Sequence, residues 1–347
     1  MQIQEPQGPH KTMGLVDKHQ RPLHDLRISI TDRCNFRCTY CMPREHFGPE
    51  HAFLDRGQLL TYEEIVLIVE SLIPTGLRKV RITGGEPLLR KDVAKLIRMI
   101  RSVGPNLDLA MTTNGVLLKR HAPELIAAGL NRVTVSLDAV DEDVFQAMAD
   151  TVNHTPTEIL DGIDAALSHG LGVKVNAVIR KSVNVGQVPK LAQACTQRDV
   201  PLRFIEYMDV GNTNGWNLDE VVSGAELRSI VETMHGPLQP EKPSGPGEVA
   251  RRFVSQSGHR FGFIESVSNP FCGGCSRARL SANGSLYTCL FSSNGHDLKG
   301  LLRMHASKED VSQAVRSIWE QRNDRYSLER STLQKPRTKV EMSFIGG

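Results

Sequence analysis

Seven cysteines punctuate the 347-residue chain, at positions 34, 38, 41, 195, 272, 275 and 289. Six of them form two trios: Cys34, Cys38 and Cys41 in the spacing C-x3-C-x2-C, and Cys272, Cys275 and Cys289 in the spacing C-x2-C-x13-C. Clustered thiols in a chain with an odd cysteine count point to metal rather than to disulfides. The i, i+4, i+7 spacing of the first trio lets three thiolates converge from one tight loop. An iron–sulfur cluster usually takes four protein ligands, so a trio leaves one iron open, and an open position marks chemistry rather than scaffolding. The first open iron is then available to a small chelating ligand, and the second to a substrate. Structural zinc is the alternative in both places, with His46 or His51 as fourth ligand to the first trio and His259 or His296 to the second. Arg277 and Arg279 follow Cys275 directly, and guanidinium groups beside a cluster suit an anion, phosphate above all. Cys195 falls in a predicted helix and reads as a buried structural thiol.

Such residues need elements that draw distant segments together. From Leu26 onward, short apolar runs alternate with amphipathic stretches. Strands are predicted over 26–30, 79–82, 107–111, 132–137, 173–179 and 202–205, and helices over 62–73, 91–103, 117–128, 157–168 and 188–197. Thr61 with Glu64 gives the first helix a capping box. Strict alternation implies a parallel sheet, because each parallel return needs a crossover. Six units fall short of a closed eightfold barrel; an open, incomplete barrel and a doubly wound sheet both satisfy the pattern, and both put ligands at the carboxyl ends of the strands. Those ends carry Gly84-Gly85-Glu86-Pro87, Thr112-Thr113-Asn114, Ser136-Leu137-Asp138 and Glu206-Tyr207-Met208. After a helix over 224–234, the Pro- and Gly-rich stretch 236–247 reads as a boundary. A smaller domain follows, with strands over 252–254, 260–266 and 285–289 and a helix over 308–322 capped by Ser307 and Asp310. The expected organisation is a mobile arm (1–20), a partial barrel (21–235), a smaller domain (236–333) and a tail (334–347) ending in Gly346-Gly347.

Composition narrows the function. With 39% hydrophobic and 23% charged residues the chain can fill a large core, which excludes collagen, coiled coil and wholesale disorder. A net charge of +3 is too small for a broad nucleic-acid-binding face, so no nucleic-acid partner is expected and any anion must be held locally. The richest apolar run, 65–69, is bounded by Glu64 and Glu70, so no membrane span is predicted. The first twenty residues fit neither a secretory signal nor a transit peptide, which makes the cytoplasm the expected location.

Cys34-Asn35-Phe36-Arg37-Cys38-Thr39-Tyr40-Cys41 after a first strand resembles the signature of the radical S-adenosylmethionine (radical SAM) superfamily. Both trios together, with Arg277-Ala278-Arg279 and the terminal Gly-Gly, resemble the molybdenum cofactor biosynthesis protein A family, the GTP 3′,8-cyclases, from about Gly14 to Gly347. The resemblance implies an incomplete, open TIM-type (β/α)6 barrel followed by a smaller C-terminal α+β domain that carries a second cluster. It implies two [4Fe-4S] clusters, on Cys34, Cys38 and Cys41 and on Cys272, Cys275 and Cys289, and S-adenosylmethionine (SAM) bound near Tyr40, Gly85, Ser136 and Met208. The implied substrate is GTP, contacted by Arg27, Arg81, Thr112, Lys174, Arg203, Arg277, Ala278 and Arg279. Arg27, Arg277, Arg279, Gly346 and Gly347 form the implied catalytic set.

The implied reaction is a lyase-type cyclisation. An adenosyl radical takes hydrogen from ribose C3′ and the sugar radical attacks guanine C8, giving (8S)-3′,8-cyclo-7,8-dihydroguanosine 5′-triphosphate. That product would be handed to cyclic pyranopterin monophosphate synthase, an external donor would supply electrons, and the enzyme would be a monomer or homodimer. The charge pattern agrees: with neither a G-x4-G-K-[ST] loop nor a G-x-G-x-x-G fingerprint, a triphosphate must be held by side chains. Alternatives left open are another two-cluster radical SAM enzyme with a different substrate, and a zinc- or iron–sulfur-bearing binding module. The stretch Arg337-Thr338-Lys339-Val340-Glu341 is assigned no role.

Overall fold

The computed structural model describes residues 14–243, 245, 247–330 and 338–346. The predicted alternation becomes six parallel strands in chain order: β1 (Asp25–Ser29), β2 (Lys79–Thr83), β3 (Asp108–Thr113), β4 (Arg132–Ser136), β5 (Gly172–Ile179) and β6 (Leu202–Glu206). The helices between them are α1 (Tyr62–Leu72), α2 (Val93–Val103), α3 (Leu118–Ala127), α4 (Glu142–Ala149), α5 (Pro156–Ser168) and α6 (Val188–Thr196). Thr61 and Glu64 cap α1 reciprocally, as the sequence signals.

Period-two patterning explains the layering. Leu26 and Ile28, Val80 and Ile82, Leu109 and Met111, and Val133 and Val135 all enter the main core, beside buried residues of α1, α2, α3 and α5. Each fully buried side chain of this size stabilises the fold by about 1.5–3 kcal/mol before entropy is counted. The alternate residues on the same strands face a cavity instead: Asp25 and Arg27, Lys79 and Arg81, Asp108 and Thr112, Arg132 and Ser136. The sheet therefore has one apolar face and one polar face.

The later chain continues this sheet. After α7 (Gly224–His235) come β7 (Gln239–Glu241), β8 (Arg251–Val254) and β9 (Arg260–Ile264), and β9 pairs parallel with β6. Next come β10 (Arg277–Leu280), which pairs parallel with β1, then β11 (Ser285–Tyr287) and β12 (His296–Asp297). The result is one open sheet of twelve strands in the order β12-β11-β10-β1-β2-β3-β4-β5-β6-β9-β8-β7. The segment expected as a smaller domain thus adds its strands to both edges of the barrel sheet. Helices α8 (Lys299–Arg303), α9 (Lys308–Glu320), α10 (Tyr326–Glu329) and α11 (Met342–Ile345) complete the described chain. Ser307 and Asp310 cap α9.

Three differences from the sequence reading bear on the site. β10 and α4 were not predicted. The expected mobile arm is packed from Gly14 onward: Leu15 is buried, Val16 bridges to Pro22, and Asp17 is buried as the acceptor of ionic hydrogen bonds. Cys195 is buried in the core on α6. Among the described residues no helix is long and apolar enough to cross a membrane.

Candidate active site

The first trio sits on the loop that leaves β1. Cys41 and Met42 both donate their amides to the Cys38 carbonyl, at 2.9 Å each, which curls the loop around that residue. α4 docks against it, because Arg37 and Thr39 donate amides to the carbonyls of Ala149 and Met148, and Phe36 meets the Phe145 ring edge-on at 5.8 Å. The Gly85 amide donates to the Thr31 carbonyl at 2.7 Å, and a β-carbon on Gly85 would collide with the Arg33 carbonyl. Glycine is needed there so that the second loop can pack on the first. Tyr40 donates its hydroxyl to Asp138 at 2.7 Å, and the other Asp138 oxygen accepts the Val178 amide at 2.8 Å. Burial pushes the Asp138 carboxyl up to about 6.

The second trio is assembled from separate pieces. Cys272 and Cys275 lie on a turn that enters β10, and Cys289 follows β11. Arg277 donates to the Cys275 sulfur at 3.4 Å, and its guanidinium lies 5.2 Å from the centre of the Phe271 ring. All six thiols are free and partly exposed, and all line one cavity of about 740 Å³.

Thiols are the donors that iron–sulfur clusters take. Among the described residues, no three cysteine, histidine or carboxylate side chains gather closely enough to hold a single metal ion. Thiols that bind different irons of a cluster need no such convergence. The histidines weighed as zinc ligands do not line the cavity. His51 packs between Phe47 and Phe53, His259 packs on Phe261, and His296 is exposed on the edge strand β12.

Between the trios the cavity wall is basic, and strand register shows how. One row across neighbouring strands runs Arg279, Arg27, Arg81, all positive. The next runs Arg277, Asp25, Lys79, Asp108, with alternating sign and a 2.9 Å Lys79–Asp25 ion pair. Like charges side by side in a shielded place repel. Burial first, and then Arg277 and Arg81, bring Arg27 down to about 9; burial, Arg27 and Arg277 hold Arg279 well below its ordinary value. Arg81 falls to about 10, chiefly through burial, and donates to Thr112 at 2.9 Å and Thr134 at 3.1 Å. Arg203 bonds Asn176 at 2.9 Å and also falls to about 10. Lys174 is lowered to about 8 by burial, Arg203 and Arg132. A bound polyanion would relieve all of these repulsions together.

The tail reaches the same wall. Arg279 donates to the Gly346 carbonyl, and Ile345 is fully buried. Gly346 has a φ of +73°, and a β-carbon there would strike Thr83 at the end of β2, so only glycine fits. Arg337 lies outside the described residues, but two others of the stretch left without a role anchor this segment: Lys339 pairs with Asp209 at 2.8 Å, and Glu341 accepts the Asn212 amide at 2.9 Å and the Thr213 hydroxyl at 3.0 Å.

The cavity therefore brings together Arg27, Tyr40, Arg81, Gly85, Thr112, Ser136, Lys174, Arg203, Met208, Arg277, Arg279 and both trios. Two described candidates do not line it: the Ala278 side chain enters the core on the opposite face of β10, and Gly346 touches the wall only through Arg279 and Thr83. Gly347 lies outside the described residues. Sequence reasoning missed Asp25, Lys79 and Arg132 on the cavity wall. The signal was available for the first two, since each stands two residues before a chosen arginine and so shares its face.

The family model described as Radical SAM superfamily matches residues 28–195, and that described as Molybdenum Cofactor Synthesis C matches residues 200–328. A protein of Acidothermus cellulolyticus named GTP 3′,8-cyclase is 46% identical over 364 residues, covering 97% of this chain and 100% of that protein. One of the same name from Staphylococcus epidermidis is 46% identical over 338 residues, covering 96% and 99%. Streptococcus suis SuiB bound to precursor peptide SuiA superposes with a TM-score of 0.61 at 15% identity, covering 95% of this chain and 73% of that one, a likeness of fold alone. Identity of this order, sustained from end to end across both cysteine trios, means that the chain belongs to the GTP 3′,8-cyclase family of the radical SAM superfamily.

Proposed function

We propose that this chain catalyses the 3′,8-cyclisation of GTP in molybdenum cofactor biosynthesis, with one [4Fe-4S] cluster on each cysteine trio. The observation that carries the reading is that both trios and the all-positive row Arg279, Arg27, Arg81 line one cavity. When bound, the first cluster with SAM would supply a 5′-deoxyadenosyl radical, which would leave as 5′-deoxyadenosine with the hydrogen of ribose C3′; closure of C3′ onto guanine C8 would then be completed by one electron and one proton.

The chain's own residues bind, orient and exclude water. Arg27, Arg81, Lys174, Arg203, Arg277 and Arg279 neutralise the triphosphate, and Thr112 and the Ala278 backbone lie within the same binding region. Tyr40, fixed by Asp138, gives SAM a rigid wall together with Met208 and Ser136. The ammonium group of SAM needs acceptors, which the carbonyls of the Gly85 loop can provide. Gly346, held by Arg279, narrows the cavity beside bound nucleotide, where radical chemistry must be kept from water. In this division of labour residues 21–235 serve SAM and residues 236–333 present the second cluster. An external donor supplies both electrons of a turnover, one to cleave SAM and one to reduce the cyclised radical, the product passes to cyclic pyranopterin monophosphate synthase, and the setting is the cytoplasm.

The test is anaerobic incubation of iron- and sulfide-reconstituted protein with GTP, SAM and a reductant. Formation of 5′-deoxyadenosine together with 3′,8-cyclised GTP is expected. SAM consumption that GTP neither accelerates nor converts into a cyclised nucleotide would overturn the reading in favour of a different substrate.

A further inference from the structure

A buried ionic network behind the cavity touches every segment that carries the second trio. Asp17, Arg21 and Arg322 are 3%, 2% and 4% exposed. One Asp17 oxygen accepts Arg21 Nε at 2.7 Å and Arg322 Nη1 at 3.0 Å. The Trp319 indole donates to the Arg21 carbonyl at 3.0 Å, and the Arg322 guanidinium lies 4.4 Å from the centre of the Trp319 ring. The same two guanidinium groups also reach the cysteine segments. Arg21 Nη1 donates to the carbonyls of Cys272 at 2.9 Å and Asp324 at 2.8 Å. Arg322 Nη1 donates to the Cys275 carbonyl at 2.8 Å, and its Nε donates to the carbonyl of Thr288, the neighbour of Cys289, at 3.0 Å. The Thr288 hydroxyl donates to Asp324 at 2.6 Å and closes the ring.

Two cations held dry on one carboxylate add little net stability. What a guanidinium fork does supply is a fixed angle between the groups it bonds. Here the fixed groups are the backbone carbonyls of Cys272, Cys275 and Thr288, the first tied to Arg21, 251 positions away in sequence, and the other two to Arg322, which Asp17 joins to Arg21.

We propose that Arg21, Asp17 and Arg322 are positioning residues for the second trio, so that the segment 14–24 is a working part of the substrate-side metal site. The network holds the backbone at Cys272, Cys275 and Cys289 at the spacing that accepts a cluster. It makes no comparable contact with the first trio, whose loop is curled by its own amides and by α4. The inference rests on reading the second trio as a cluster site.

Lysine keeps the charge but lacks the fork. Arg21→Lys and Arg322→Lys therefore test geometry apart from charge. Iron per chain after reconstitution is expected at about eight for the parent and about four for a Cys272→Ser, Cys275→Ser, Cys289→Ser variant. Each lysine variant is expected to bind the second cluster about 10–100-fold more weakly and so to retain about four irons under limiting iron, with SAM affinity unchanged. In the metal-free protein, alkylation of Cys272, Cys275 and Cys289 should speed up about tenfold, while Cys34, Cys38, Cys41 and Cys195 keep their rates. Lysine variants that still hold about eight irons would overturn the positioning role. Faster alkylation of all seven thiols alike would also overturn it, by showing general loosening. Unchanged iron in the triple serine variant would overturn the cluster reading itself. Should neither lysine variant accumulate, the nearly isosteric Asp17→Asn is read by the same two measurements.

Discussion

The two cysteine trios share a cavity and differ in what surrounds their sulfur atoms. Burial, and then the Glu86 carboxylate, push Cys34 up to about 12, and burial with Asp138 nearby raises Cys38 well above its ordinary value. Burial also acts on Cys275, yet Arg277 and Arg322 overcome it and bring that thiol down to about 6, while burial, and then Asp324, push Cys289 up to about 11. Carboxyl groups therefore flank the first trio, and guanidinium groups flank Cys275 of the second. A sulfonium cofactor with an ammonium group suits the first, and a triphosphate suits the second. The difference in assembly runs parallel. The first trio spans eight consecutive residues, whereas the second is gathered from both flanks of a hairpin and braced by the far end of the chain.

The largest expected effect separates the two trios outright. Cys38→Ser should reduce SAM cleavage to background, whereas Cys275→Ser should keep cleavage of SAM and lose cyclisation of GTP. Equal loss of SAM cleavage in both variants would erase the division.

Next in size is a pH effect confined to the basic wall. Free Lys174, at about 8, loses its proton as pH rises past that value, and a triphosphate binds best to the protonated form. GTP affinity should then fall above about pH 8, and the fall should be shallower in the Lys174→Arg variant, in which Lys79, at about 8, and Arg27, at about 9, still titrate. Calorimetric titrations that give both proteins the same slope would remove Lys174 from the anion site.

The smallest effect belongs to the carboxyl groups beside the first trio. Tyr40→Phe deletes the hydrogen bond to buried Asp138, worth about 1 kcal/mol, and should weaken SAM binding about fivefold without changing GTP affinity. A matching loss of GTP affinity would show that the two sites are not independent.

Much of this arrangement is legible in the sequence, and the missing parts have physical causes. The cysteine spacing, the first six strands and the loops that end them are local patterns, so periodicity and turn chemistry reveal them. β10 is not local. Arg277-Ala278-Arg279-Leu280 is only four residues long and half charged, and it becomes a strand through pairing with β1, some 250 residues earlier. The Pro- and Gly-rich stretch 236–247 looks like a domain limit because composition cannot show that the chain beyond it returns to both edges of the same sheet. Residues 14–20 look like part of an arm because they are polar; their order comes from Asp17 meeting Arg322, a partner at the other end of the chain. Lys339 and Glu341 were unassigned for the same reason, since their partners lie on the loop after β6.

The strand order also constrains how the polypeptide is made. During synthesis β1 and β6 emerge as bare edges of a six-stranded sheet, and the segments that cover them, β9 and β10, are among the later parts to leave the ribosome. A nascent chain halted before residue 260 therefore exposes two unpaired borders, each a template for aggregation. Truncated or slowly translated forms should depend on holding chaperones far more than the finished enzyme does.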